Sequence, residues 1–167
     1  MKKTLLIITS LLFISSFVFT QTKVNKNNLV QYGDKWFKGN DDTPYTGIVF
    51  DMSKETGNKI LESKYVKGLP HGKHVEWYND GIKKVEGIYK SGMMNGRWTF
   101  WYENGQKSEE GTYKDGKEDG KWTYWHENGQ KAGESTFKIG ELIEEIMWNE
   151  HGNHLLYGLE VGIHFTP

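Results

Sequence analysis

The fold is decided by two consecutive segments, GRWTFWYENGQKSEEGTYKDGKED at residues 96–119 and GKWTYWHENGQKAGESTFKIG at residues 120–140. A looser copy, GKHVEWYNDGIKKVEGIYKSGMMN, occupies residues 72–95, so the three copies start 24 residues apart. A fixed period of 20 to 50 residues is typical of repeat architectures, in which each unit is too small to bury a core alone and packs on its neighbours. We therefore expect a stack of small β units.

One glycine recurs at the same place in every unit. Gly81, Gly105 and Gly129 hold this place in the three clear copies, and Gly57 and Gly152 continue the series at spacings of 24 and 23 residues. The sequence thus predicts five units, of which the outer two are degenerate. Drift at the ends is expected, because a terminal unit has only one neighbour.

Each unit has the pattern of a β-hairpin. Residues 98–102 are aromatic and β-branched, which favours a strand, and residues 107–113 form the return strand. The pairs Asp80-Gly81, Asn104-Gly105 and Asn128-Gly129 predict tight type I′ turns, which need two successive residues at positive φ. The predicted fold is an all-β, elongated antiparallel β-meander built from tandem 23–24-residue hairpin repeats.

A two-residue turn also predicts a strand register. Counting outward from the turn pairs Trp98 with Gly111, Trp122 with Ser135, and Thr99 with Glu110. A tryptophan ring over a strand glycine would cover the backbone that glycine leaves bare. In this register one face carries Trp98, Phe100, Tyr102 and Tyr113, and the other carries Trp101, Thr99 and Glu110. A longer loop would shift the pairs, and a one-residue slip would exchange the faces.

The chain divides into four parts by sequence. Residues 1–20 form a predicted signal peptide, residues 21–46 a lead or capping segment, residues 47–143 the hairpin repeats, and residues 144–167 a degenerate last repeat with a cap. The lead segment contains a predicted strand pair at residues 32–37, and residues 155–165 form an apolar strand that either caps the stack or pairs with another chain. One elongated domain follows from this division.

The N-terminal residues have the character of an export signal. Lys2 and Lys3 precede an apolar run at residues 5–19, which is short for a hydrocarbon core of about 30 Å. We expect cleavage near Thr20/Gln21, an exported mature chain without a membrane span, and a periplasmic, cell-surface or secreted location. The chain has no cysteine, so disulfides and lipidation on cysteine are excluded.

Composition and charge limit the classes of partner that are expected for this chain. Loss of Lys2 and Lys3 changes the net charge from −1 to −3, with lysine and glutamate spread through every unit. Along the sequence these charges form no basic stripe of the kind that phosphate backbones need, so nucleic acid is not expected as a partner. A polybasic cluster for anionic lipid is missing as well.

The quoted repeats resemble the MORN-repeat variant, the unit of proteins labelled YwqK-type antitoxin components. The resemblance is close over residues 72–143 and extends to residues 44–71 and 144–158. It implies an open, meandering antiparallel sheet without catalytic residues that is used for binding or scaffolding. The name of these proteins further implies neutralisation of a toxin.

No catalytic or metal-binding constellation stands out in the sequence. The histidines at residues 71, 74, 151 and 154 form two pairs with a spacing of three, and His126 precedes a glutamate, but no third ligand accompanies them. His126 occupies the place of Tyr78 and Tyr102 and is interpreted as a variant of that aromatic position. We therefore expect no enzyme activity, no cofactor and no metal.

Two charged positions recur with the repeat. Glutamates lie at residues 86, 110 and 134, and lysines at residues 83, 107 and 131. Paired carboxylates perform acid and base catalysis when their environments differ, whereas identical units supply identical environments. We interpret these residues as a solvated ladder of alternating charges that discourages aggregation at sheet edges.

The recurring aromatic residues are the candidates for binding. They provide most of the large apolar groups and must largely pack within and between units, but a single sheet buries at most one face unless something covers the other. An exposed row of rings would bind sugar rings, peptide strands or an apolar patch of another protein. The candidate binding residues are Trp98, Phe100, Trp101, Tyr102, Trp122, Tyr124 and Trp125.

Two main functions remain open at this point. The first is an exported protein-interaction scaffold with a protein partner, and the second is a glycan-binding module at the cell surface, because aromatic repeats of wall-binding proteins are similar in their Trp-Tyr pairs and Asn-Gly turns. Lipid contact, by analogy with ordinary MORN repeats, is a third alternative.

Overall fold

The computed structural model describes residues 22–155, and in this part every regular element except one is a β-strand. The exception is a 3-10 turn at Lys26–Asn28. The strands are β1 (Lys23–Asn25), β2 (Leu29–Tyr32), β3 (Lys35–Lys38), β4 (Gly47–Met52), β5 (Lys59–Val66), β6 (Leu69–Trp77), β7 (Lys83–Lys90), β8 (Met93–Trp101), β9 (Lys107–Lys114), β10 (Lys117–Glu118), β11 (Gly120–Trp125), β12 (Lys131–Lys138), β13 (Glu141–Trp148) and β14 (His154–Leu155).

The strands form one long sheet in nearly sequential order. From β4 to β14 each strand pairs with the next along the chain in antiparallel fashion, with β10 as a short extension beside β9. The predicted all-β meander is therefore confirmed. It has one departure, because β1 adds to the outer edge of β4 in parallel orientation, while β2 and β3 form a separate hairpin. The predicted signal peptide and the apolar strand at residues 155–165 lie outside the described residues, apart from Leu155.

The turns that contain the repeat glycines differ from the prediction. Gly105 has φ 83°, whereas Asn104 does not have positive φ, so the loop is not a type I′ turn. It contains three residues, 103–105, with the Gly105 N–H donating to the Tyr102 carbonyl at 3.0 Å and the Tyr102 N–H donating to Gln106 at 2.8 Å. This is the type I turn with a glycine bulge, the next commonest hairpin connection. The turns at Gly81, Gly129 and Gly152 repeat its hydrogen bonds.

The predicted register is nevertheless confirmed, because two deviations cancel. Trp98 pairs with Gly111, Thr99 with Glu110, and Trp122 with Ser135. The third loop residue shifts the strand pairing by one residue. A β-bulge between the pairs Phe100–Glu109 and Trp101–Lys107 shifts it back. Equivalent bulges occur in the hairpins β4–β5, β6–β7 and β11–β12.

Type I′ geometry occurs at the opposite ends of the strands. Each return strand reaches the next unit through two residues that both have positive φ, and these pairs are Lys67-Gly68, Ser91-Gly92, Asp115-Gly116 and Ile139-Gly140. Their twist matches that of the flanking strands, which keeps the connection between units tight. The hairpins that contain Gly81, Gly105, Gly129 and Gly152 are thus closed by three-residue loops, whereas β4–β5 is closed by four residues, 54–57, with the Gly57 N–H donating to the Ser53 carbonyl at 3.0 Å. Two-residue turns join the successive units.

The lead segment covers only the first strands of the sheet. Val24, Leu29, Tyr45 and Val49 form a buried cluster, against which Trp36, Leu61 and Tyr65 pack. Backbone hydrogen bonds from Trp36 to Gly68 and from Gly68 to Tyr45 attach the segment to the turn between β5 and β6. The lead segment is thus fixed to the β4–β5 end of the sheet by apolar packing and by backbone hydrogen bonds.

Candidate binding surfaces

Strand alternation separates the side chains of the repeats into two chemically different faces. We call the first the ring face; its members are Tyr65, His74, Tyr89, Trp98, Phe100, Tyr113, Trp122, Tyr124 and Phe137. We call the second the ladder face; its members are Lys73, Lys83, Glu86, Arg97, Thr99, Trp101, Lys107, Glu110, Lys121, Trp125, Lys131 and Glu134. Six of the seven candidate residues are therefore divided between two faces, and the seventh, Tyr102, lies at the loop that follows β8.

Two of the candidates are buried structural residues. Trp98 and Trp122 are each 1% exposed, so their rings present no free surface to a partner. Trp98 lies over Gly87, where an added Cβ would be 2.1 Å from the indole Cδ2, and Trp122 lies over Gly111 in the same way. The predicted ring-over-glycine packing is correct in kind, but Trp98 covers the glycine of the preceding unit and not its hairpin partner Gly111.

Because each indole crosses to the preceding unit, it connects neighbouring units. The Trp98 Nε1–H donates to the Ile88 carbonyl at 3.2 Å, and the Trp122 Nε1–H donates to Thr112 at 3.3 Å. Tyr89 and Tyr113 contact Trp98 edge to face, with centroids 5.0 and 6.1 Å away. The stack is thus held by aromatic packing as well as by backbone pairing.

Phe100 and Tyr124 form the outer layer of the ring face. Phe100 stacks on Trp98 and Tyr124 on Trp122, with centroid distances of 6.2 and 6.4 Å, and both rings are half-buried. Glu109 lies opposite Phe100, and burial together with the charge of Glu118 raises the pKa of Glu109. Burial raises the pKa of Tyr113 to about 12, with a smaller effect from Glu118. The ring face therefore combines apolar rings with acidic groups.

Tyr102 has a structural role at the loops. Its hydroxyl donates to the Trp125 carbonyl of the next unit at 2.7 Å, as the Tyr78 hydroxyl does to Trp101. His126 Nε2 lies 2.9 Å from the Trp148 carbonyl, so His126 does replace the tyrosine of the other units. These bonds join successive loops along one side of the sheet.

The ladder face repeats one ion-pair arrangement. Glu86 is paired with Lys73 and Lys83, Glu110 with Arg97 and Lys107, and Glu134 with Lys121 and Lys131. The predicted charge ladder is thus present. Hydrogen bonds from Lys73 and then Lys83 lower the pKa of Glu86, and hydrogen bonds from its two lysines lower that of Glu134. Since each carboxylate neutralises only one of its two bases, a positive charge remains in every unit.

Trp101 and Trp125 lie within this ladder. The Lys83 ammonium is 5.1 Å from the Trp101 ring centre, and Lys107 is 5.7 Å from that of Trp125. Both rings are half-buried and are partly covered by their lysines. Trp101 lines a cleft of about 510 Å³, to which the ladder face also supplies Lys73, Glu86, Arg97, Thr99, Lys107 and Glu110.

The histidines make local structural contacts. His74 is buried between Tyr89 and Trp98 and is 3.2 Å from a Glu76 oxygen, while His71 accepts a hydrogen bond from the Ser91 N–H. Among residues 22–155, no group of three or more histidine, aspartate or glutamate side chains is arranged to hold a metal ion. In the same part of the chain no helix has the length and apolar character needed to cross a membrane.

The comparisons with known proteins agree with the repeat geometry. The sequence model of the family described as MORN repeat variant matches residues 94–115 and 118–138. These segments include parts of the two clearest units, with both buried tryptophans, so the chain is similar to that family over both. No curated protein matches the chain.

Proposed function

We propose that this protein is a non-enzymatic protein-interaction scaffold, and that the ring face between β7 and β12 is its main binding surface. The similarity to MORN repeat variants supports a repeat protein with a binding role. Within this surface Phe100, Tyr113, Tyr124 and Phe137 are the accessible aromatic side chains, because all four are half-buried. Trp98 and Trp122 support these rings from below.

The observation that carries the proposal is the partial cover of the ring face. The lead segment packs its apolar side chains against β4 and β5, and the apolar face of the sheet continues beyond it through β12. In the part of the chain that the structure describes, the elements that contact each other extensively are neighbours in a sheet. The one exception is the contact between β4 and the 3-10 turn. A contiguous apolar surface of this kind is typical of interaction sites.

The proposal is tested by changing rings on this face without removing the buried tryptophans. Phe100→Ser and Tyr124→Ser each replace a half-buried ring, and Ile88→Ser removes an apolar side chain, 53% exposed, from the opposite face. Immobilised chains of residues 21–167 are incubated with proteins of the cell of origin. We expect proteins retained by the wild type to be retained by Ile88→Ser and lost from the two ring variants.

Circular dichroism and thermal unfolding show whether each variant is folded. If the folded ring variants retain the same proteins as the wild type, the ring face is not the binding surface. If Ile88→Ser alone loses them, the binding surface is the ladder face.

A glycan-binding module is the second candidate, and the acidic groups of the ring face favour it. Glu109 lies opposite Phe100, and Glu118 lies opposite Tyr113. A sugar stacked on these rings would donate its hydroxyl hydrogen bonds to the carboxylates. Retention on purified polysaccharide that is lost in Tyr124→Ala would establish this function. Tyr124 is the appropriate position, because truncation of the buried Trp122 would also affect folding.

The proposal has two more specific parts, which are export of the protein and neutralisation of a toxin. We propose that residues 1–20 direct export and that the mature chain begins at Gln21, which mass spectrometry of the protein from its native cell tests. A chain that retains Met1 or Lys2 would contradict export by cleavage. The resemblance to YwqK-type proteins makes a toxin one candidate partner for the ring face.

A further inference from the structure

The ladder face carries a strong positive surplus, although the chain as a whole has a net charge of −1. In the unit that begins at Gly72, strand alternation places Lys73, Lys83, Glu86 and Lys90 on this face. The equivalent groups of the next two units are Arg97, Lys107, Glu110 and Lys114, followed by Lys121, Lys131, Glu134 and Lys138. Each unit therefore presents three bases and one carboxylate. Lys117 and Glu141, at the two-residue turns, cancel, and Glu144, which pairs with Thr136 on this face, offsets one base of the last unit.

The bases of this face form two rows that run across the strands. The first row is Lys73, Arg97 and Lys121, whose side chains are 70, 69 and 61% exposed. The second row is Lys90, Lys114 and Lys138, which are exposed and form no ion pair within residues 22–155. Free positive charge is thus concentrated on one side of the ladder.

The spacing of each row is set by the sheet. Equivalent residues are two strands apart, and neighbouring strands are about 4.8 Å apart, so each row repeats about every 9.6 Å. Three residues of a polypeptide span about 9.9 Å when fully extended and about 9.3 Å in the polyproline II conformation. Side chains alternate between opposite sides in a fully extended chain, whereas polyproline II has three residues per turn. A polypeptide in the polyproline II conformation that lies across the strands therefore places every third side chain on the same side, at an equivalent position of successive units.

We propose that the ladder face binds an extended acidic polypeptide segment, with an aspartate or glutamate at every third residue facing the two rows of bases. Carboxylates match the surplus charge, and Trp101 in the adjoining cleft supplies apolar contact between them. This surface lies on the opposite side of the sheet from the ring face, so the inference stands independently of the proposed function.

The experiment uses synthetic peptides and the mature chain. A labelled 15-residue peptide with glutamate at every third position and proline or serine between is compared with one of equal composition whose glutamates are grouped at one end. Fluorescence anisotropy gives the dissociation constants. We expect the periodic peptide to bind more tightly, and its dissociation constant to rise with salt concentration.

Charge variants identify the surface. Replacement of Lys90, Lys114 and Lys138 by glutamine breaks no ion pair of the ladder. The matched control replaces three exposed lysines elsewhere by glutamine, namely Lys26, Lys35 and Lys54. At low ionic strength we expect the first triple variant to weaken binding by about tenfold or more, because a pair of unit charges in contact in water is worth about fivefold. The control changes binding much less.

Three results would overturn the inference. They are equal binding of the periodic and grouped peptides, equal effects of the two triple variants, and a preference for another polyanion. The last is measured with anionic phospholipid vesicles and with a soluble polyuronate. If either binds in a manner that depends on Lys90, Lys114 and Lys138 while the periodic peptide does not, the occupant of the ladder face is not a polypeptide.

Discussion

A methyl group at Gly87 should destabilise the protein by displacing the indole of Trp98. An ideal Cβ at Gly87 would lie 2.1 Å from Cδ2 and 2.3 Å from Cε2 of that ring, which is 1% exposed and contacts other rings on several sides. Overpacking of this kind costs about 1–3 kcal/mol. Gly87 does not have positive φ, so alanine also stabilises by about 0.4–1 kcal/mol through the unfolded chain.

We expect Gly87→Ala to lower the free energy of unfolding by about 2 kcal/mol after this gain is subtracted, because an indole held by packing and by its hydrogen bond to Ile88 puts the overpacking cost near the upper end of its range. For a chain of this size that corresponds to a fall of roughly 4–8 °C in the melting temperature. Urea and thermal unfolding, followed by tryptophan fluorescence and circular dichroism, measure it. Gly39→Ala is the control, because its Cβ would have no neighbour closer than 3.9 Å.

A double-mutant cycle separates steric displacement from other effects. In a Trp98→Leu background the added methyl has more room, so Gly87→Ala should there cost less than about 0.5 kcal/mol. If Gly87→Ala leaves stability within about 0.5 kcal/mol of the wild type, or costs the same in both backgrounds, the close contact between units is not as described. Gly111→Ala, beneath Trp122, should repeat the result.

Three further predictions concern single polar groups. Tyr102→Phe removes the hydrogen bond to the next unit and should cost about 1 kcal/mol in urea unfolding, whereas Tyr32→Phe, with Tyr32 67% exposed, should cost almost nothing. Glu86→Gln should cost about 0.5 kcal/mol at pH 7, and this cost should disappear as pH falls through the lowered pKa of the folded protein, because Glu86 stabilises only when it is ionised. Glu109→Gln should raise stability at pH 7, because the pKa of Glu109 is raised on folding; the gain should vanish below about pH 4, where the carboxyl is protonated in both states. If the cost of Glu86→Gln or the gain from Glu109→Gln grew on acidification, the pKa directions of these two carboxyl groups would be contradicted.

The sequence predicted the repeat and the register, but not the turn chemistry. Asn-Gly fits both a two-residue type I′ turn and a three-residue loop that ends in a glycine bulge. What distinguishes them is the compensating bulge residue on the return strand, and this residue is Lys84, Ser108 or Ala132 in three consecutive hairpins. Because these side chains share no chemistry, the bulge leaves no signal in the sequence.

For a related reason, the sequence did not predict how the charges are divided between the two faces. Read along the chain, bases and acids alternate in every unit, and no basic stripe is visible. Lys90 and Glu86 share a face because they lie four positions apart in β7, whose pairing with β6 is uninterrupted from Val85 to Tyr89. Glu109 lies on the opposite face from its neighbour Glu110. Whether a side chain lies on one face or the other depends on whether its position in the strand is odd or even. Local composition therefore cannot reveal the surplus of positive charge on the ladder face.

The two faces of the sheet also differ in how well they tolerate substitution. On the ring face the two clearest units each insert an indole against the glycine of the preceding unit, so a change there affects the packing between units. On the ladder face the second row of lysines takes part in no ion pair within the described chain, so those positions are open to change without loss of folding. A repeat protein built in this way can vary what its ladder face binds while keeping the ring packing that holds its units together.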